Sequence, residues 1–208
     1  MTVHVWTRRP VKTRSLDCMA RVSRWLCDAG VHPNHISLGS IAAASAAAAC
    51  LLAGYPVIAA LFIQLRLLCN LLDGMVAIEG GRQTKSGEIF NDFPDRIADA
   101  LIFIGAGYGA RQHLFGVELG FIAAALAIFT AYVRMLGGAS GLEQSFIGPM
   151  AKQHRMFTLT LGCLLSIFET RFFTAGSMLW VVLMVINLGC LITIWRRTAH
   201  IARELESR

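Results

Sequence analysis

No two of the six cysteines in this chain stand as a CxxC pair, and no Cys/His cluster has the spacing of a metal-ligand set. That excludes a zinc ribbon or finger and a thioredoxin-like redox pair. The cysteines read as small apolar residues of helices in a reduced compartment. His4, His32, His35, His113, His154 and His200 all fall outside the apolar runs, and no Ser/His/Asp or Cys/His grouping is evident. Internal repeats, low-complexity tracts and a soluble appendage are missing too. The first thirty residues are charged and have no early apolar core, so no cleavable leader is expected.

What is present is apolar sequence. Hydrophobic residues make up 55% of 208 residues, and the mean hydropathy is +0.57. They gather into blocks of about twenty, the length that crosses a bilayer. Charge gathers between the blocks. The expected class is therefore an all-α, polytopic membrane protein with six transmembrane helices, near 36–53, 56–78, 93–110, 118–137, 156–170 and 175–195. The fifth is short. Residues 13–29 have apolar positions at helical spacing among Arg14, Arg21 and Arg24, which predicts an amphipathic interfacial helix, or a helix packed on the protein itself. Gly30 is placed to stop it and Pro33-Asn34 to start the next helix. The expected organisation is an N-terminal segment over 1–35, a six-helix catalytic unit over 36–198 and a tail over 199–208.

The formal net charge of +6 is concentrated in the segments flanking the blocks. Arg8, Arg9, Lys12, Arg14, Arg21 and Arg24 precede the first block, and Arg196, Arg197, Arg203 and Arg208 follow the last. Such clusters fit an anionic inner leaflet and set orientation rather than bind nucleic acid. Both termini are expected in the cytoplasm, with the chain in the inner membrane.

One stretch breaks the apolar pattern. Asn70-Leu-Leu-Asp73-Gly74-Met-Val-Ala77 ends the second block, and Gly87-Glu-Ile-Phe-Asn91-Asp92-Phe-Pro-Asp95 opens the third. Polar groups at membrane depth are costly and mark a site. Offsets of three and four share a helix face, so Asn70, Asp73 and Ala77 form one stripe and Asn91, Asp95 and Asp99 another. Carboxylate and amide oxygens suit a hard cation, Mg²⁺ or Mn²⁺. Two such ions could stabilise an in-line displacement at phosphorus. Gly74 and Gly87 offer bare backbone to a diphosphate or nucleotide, although tight helix packing explains a glycine equally well.

These residues resemble the signature of the CDP-alcohol phosphatidyltransferases. That signature runs Asp, two residues, Asp-Gly, two residues, Ala-Arg, eight residues, Gly, three residues, Asp, three residues, Asp. Asp73, Gly74, Ala77, Gly87 and Asp95 match it in register across 26 positions. The resemblance implies transfer of a phosphatidyl group from a CDP-linked lipid, typically CDP-diacylglycerol, to an alcohol, with CMP released and Mg²⁺ or Mn²⁺ required. It implies Asp73 as a metal ligand, Asp95 as general base and ligand, and Asn70 and Asn91 at ligand positions. A homodimer is implied by the resemblance alone.

Three signature positions differ: Asn70 for Asp, Ile78 for Arg and Asn91 for Asp. An amide oxygen still coordinates but brings no charge. Asp92 or Asp99 could compensate. Arg82 or Arg66 could stand in for the missing arginine, or Arg66 could simply neutralise the carboxylates. Lys152 and Arg155, after the fourth block, suit either a phosphate on the acceptor or lipid headgroups. Arg134 could reach the same pocket. Two other readings stay open: a related protein that binds a CDP-lipid without catalysis, and a small transporter. The nearly apolar outer halves of the blocks weigh against the transporter.

Overall fold

The computed structural model describes residues 17–81 and 87–207. Among them the chain is helical, with no strand. The helices are α1 (Asp17–Asp28), α2 (Pro33–Leu52), α3 (Pro56–Glu79), α4 (Gly87–Gly109), α5 (Gly116–Ala139), α6 (Lys152–Leu165), the single turn α7 (Glu169–Phe172) and α8 (Ser177–Glu206). Four of them, α2, α3, α5 and α8, are long and apolar enough to cross a bilayer. Leu61, Leu65, Phe129, Leu188, Leu191 and Trp195 stand exposed on their outer faces. This is an integral membrane protein.

Local sequence sets the helix ends. Gly30 lies at φ 74° and closes α1, with Val31 N donating to the Leu26 carbonyl at 3.0 Å. His32 caps α2, its Nδ1 accepting from Asn34 N at 3.3 Å, and Pro33 fills the first turn, where a missing N–H costs nothing. Pro56 does the same for α3. Gly54, at φ 84°, and Tyr55 make the turn that lays α3 back along α2.

Three blocks differ from their sequence reading; the last stays helical to Glu206, well past the expected end at 195. The third helix starts at Gly87, six residues before the expected 93, because its first two turns are polar and hydropathy does not register them. The expected span over 156–170 is not one helix. It runs as α6, a 3₁₀ turn over Ser166–Phe168, and α7. Glu169 turns back there, its carboxylate accepting from Gly176 N at 2.8 Å and from Met178 N at the start of α8. An acid at a helix N-terminus is favoured by the helix dipole. α1 packs against α3, with Cys27 Sγ 3.7 Å from the Val76 carbonyl, while Trp25 stays exposed.

The core is built from small residues, so backbones approach closely. Ala44 and Ala47 of α2 and Ala98, Ile102 and Ala106 of α4 share one buried cluster, with Ile63, Leu159, Leu183 and Ile186 completing the interior. A close backbone contact joins α4 and α5 at Gly107 and Gly120. A Cβ on Gly120 would sit 2.6 Å from both Gly107 Cα and the Phe103 carbonyl oxygen. Gly120→Ala should cost about 1–3 kcal/mol through overpacking. The thermal midpoint in detergent should fall by several degrees. An unchanged midpoint would show that this contact carries no weight.

Candidate active site

The third and fourth helices bring their polar stripes together at one end of the bundle. Asn70, Asp73, Gly74 and Ala77 belong to α3, and Gly87, Asn91 and Asp95 to α4. Lys152 and Arg155 open α6 on the same side. Arg82 lies outside the described residues.

Asp95 is the most heavily engaged group. Its Oδ1 accepts from Arg66 Nη2 at 3.1 Å and from Asn70 Nδ2 at 2.8 Å. Its Oδ2 accepts from Lys152 Nζ. The same ammonium donates to Asn70 Oδ1 at 2.8 Å. Those two partners fix the amide orientation: nitrogen faces the carboxylate, oxygen faces the ammonium.

Asp99, one turn further along α4, is fully enclosed. Oδ1 accepts from Arg66 Nη2 at 2.6 Å, and Oδ2 from Arg155 Nη2 at 3.2 Å. Arg155 is held in turn by Thr130 Oγ1 and the Met150 carbonyl, both at 2.9 Å. Arg66 and Arg155 are 0% and 2% exposed, so both guanidiniums serve protein groups rather than an open pocket. Asp92 stands apart in a more exposed group, paired with Arg134 at 2.8 Å and Arg96 at 3.6 Å. Arg134 also lies over the Phe146 ring, 5.6 Å from its centroid.

Asp73 differs from the other two buried carboxylates of this cluster. Its Oδ2 accepts from Ser37 Oγ of α2 at 2.8 Å. Its Oδ1 is buried without a hydrogen-bond donor. A buried carboxylate oxygen left bare is costly, and its chemistry fits a hard cation. The Asp95 side lacks that character, since both oxygens are taken. Among the described residues, no three of His, Cys, Asp and Glu converge as a ligand group.

A second layer sets the start of α6. Met150 N donates to Thr193 Oγ1 at 3.0 Å. Arg197 donates to the Ile147 carbonyl at 2.9 Å and to the Thr130 carbonyl at 2.7 Å. Gly148, at φ 123°, lets the loop press against Thr193. Ser37, Thr130, Thr193 and Arg197 were not foreseeable as site supports. Arg197 reads from sequence as part of a basic tail, yet it is buried.

Comparison with known proteins places the chain in a family. The model of the CDP-alcohol phosphatidyltransferase family matches residues 30–200. The chain belongs to that family. It is therefore a membrane-bound CDP-alcohol phosphatidyltransferase. An archaetidylinositol phosphate synthase of Aeropyrum pernix is 31% identical over 186 residues, covering 88% of this chain and 90% of that protein. The inner membrane protein YnbA of Escherichia coli is 25% identical over 185 residues, covering 87% and 90%. The same fold occurs in the phosphatidylinositol phosphate synthase PgsA1 of Mycobacterium tuberculosis. Its structure with CDP-DAG bound has a TM-score of 0.78 at 23% identity, covering 89% of this chain and 94% of that one. Its structure with manganese and citrate has a TM-score of 0.76, with 88% of both chains covered.

The buried ion network makes a stability prediction. Removing one partner of a buried pair leaves an uncompensated charge, at about 3–5 kcal/mol. Arg155→Met should therefore unfold at markedly lower temperature than the parent phosphatidyltransferase. Arg155→Met combined with Asp99→Asn should recover part of the loss, because no charge is then stranded. Equal loss in the single and double variants would refute this pairing as the cause.

Proposed function

We propose that this chain transfers a phosphatidyl group from CDP-diacylglycerol to an alcohol, releasing CMP. The observation that carries the reading is the convergence of Asp73 from α3, Asp95 from α4 and Lys152 from α6 in a protein of this family. The CDP-DAG bound to the structurally similar mycobacterial synthase supports the choice of donor. The relatives named for inositol phosphate products make a phosphorylated polyol the first acceptor to try.

In this reading α4 and α6 join the four apolar helices to make six spans, and α1 lies at the inner interface. Both termini are cytoplasmic in an inner membrane, in keeping with the arginines at the two ends of the chain. Water-soluble acceptor and nucleotide then meet the site from the cytoplasm while acyl chains stay in the leaflet.

Asp73, with its bare oxygen, would hold the Mg²⁺ or Mn²⁺, with Asn70 and Asn91 at the neighbouring ligand positions and Asp95 beside them. The ion would supply positive charge to the diphosphate. The small residues Gly74, Ala77 and Gly87 leave room for the nucleotide, and Arg82 adds a cation near the diphosphate. Lys152 meets the acceptor side, and Arg155 acts there through Asp99. The acceptor hydroxyl approaches Asp95 by displacing one of its present donors. Asp95 takes the hydroxyl proton as the oxygen attacks the phosphorus that bears the diacylglycerol. The bond from that phosphorus to the CMP oxygen breaks, and CMP leaves with the electron pair. A base within hydrogen-bond reach contributes about 10²–10⁴-fold.

A second reading has its own support. Three donors occupy both oxygens of Asp95, as in a protein that binds a CDP-lipid without turning it over. Purified protein with CDP-diacylglycerol, Mn²⁺ or Mg²⁺ and a panel of alcohols separates the two. Transfer predicts alcohol-dependent CMP release that falls at least about 10²-fold in Asp95→Asn, while CDP-lipid binding persists. Binding without CMP release across the panel selects the second reading.

A further inference from the structure

We infer that Lys152 is a resident cation: its ammonium takes the place of one of two metal ions at the Asn70–Asp95 side, leaving a single divalent ion on the Asp73 side. The inference rests on the reading of this cluster as the transfer site.

Geometry carries it first. Lys152 Nζ contacts both Asn70 Oδ1 and Asp95 Oδ2, each an oxygen that a cation between α3 and α4 would use. Asn70 completes the arrangement through its other atom. Its Nδ2 donates to Asp95 Oδ1 at 2.8 Å, where an aspartate would set carboxylate against carboxylate. Two carboxylates at that separation need a shared proton or a cation. The amide removes the need, and the lysine supplies the charge. Asn70 and Lys152 are therefore two parts of one substitution, although 82 residues separate them.

Charge carries it second. Asp73, Asp95 and Asp99 are buried with Arg66 and Arg155, and the partly exposed Lys152 closes the cluster: three carboxylates against three cations. That set is neutral before any ion enters. A diphosphate donor adds about two negative charges, and one divalent ion balances them. A second divalent ion would leave an uncompensated excess in a buried site, which is costly. The two carboxylates also differ in what they leave open: Asp73 Oδ1 has no donor, whereas both oxygens of Asp95 are occupied.

The test counts ions on the full-length protein in detergent, with Mn²⁺ alone and free Mn²⁺ read by electron paramagnetic resonance. Wild type should bind at most one ion per chain, and Asp95→Asn should leave that number unchanged. Asn70→Asp combined with Lys152→Met should bind one ion more than wild type. Two ions on wild type, binding lost in Asp95→Asn, or no gain in a folded double variant would each overturn the proposal. Wild type alone gives an independent readout, because Lys12, Lys85 and Lys152 are the only lysines. Amine methylation of Lys152, followed by peptide mass, should be the same with and without saturating Mn²⁺. A several-fold rise at Lys152 confined to the Mn²⁺ sample would mean that the metal displaces it, and would overturn the proposal. CMP release is scored separately: transfer with two bound ions refutes this inference alone, and the expected ion count without transfer refutes the transferase reading alone.

Discussion

Asp99 is the fixed point of this molecule. A carboxylate so enclosed would be untenable alone, and it survives because Arg66 and Arg155 reach it from opposite sides. One guanidinium comes from α3 and the other from α6, so this α4 side chain, like Asp95 one turn before it, ties together three helices. Arg66 uses the same nitrogen to hold Asp95, and Arg155 sits one turn after Lys152. The orientation of the Asp95 carboxylate is thus set together with a pairing one turn further along α4.

The small residues make that pairing reachable. Alanines on α2 and α4 and the glycine pair between α4 and α5 bring backbones close enough for side chains to span from helix to helix. Within the protein, away from lipid, such ion pairs are little screened by salt. They hold the site side chains in place beside the hydrophobic core, while the outer faces stay apolar.

Much of this was legible in the order of residues. Spacings of three and four placed Asn70 with Asp73 and Asp95 with Asp99, and the helices that carry them do come together. Gly30 and Pro33 announced helix ends, because each restricts or frees the backbone in a known way. Periodicity could not report which charges meet. Lys152 on Asn70, Arg66 on Asp99 and Ser37 on Asp73 join positions 82, 33 and 36 residues apart, and nothing local in the sequence encodes those distances. The polar beginning of α4 hid from hydropathy for the same reason that it matters. The break after α6 depends on Glu169 turning to the head of α8, a long-range choice of partner.

The last helix has a duty that its apolar length conceals. Thr193 and Arg197, one turn apart, grasp the backbone just ahead of α6 at Met150 and Ile147. The backbone that leads into Lys152 is therefore anchored by α8, so where that ammonium stands depends on the last helix as well as on α3 and α4.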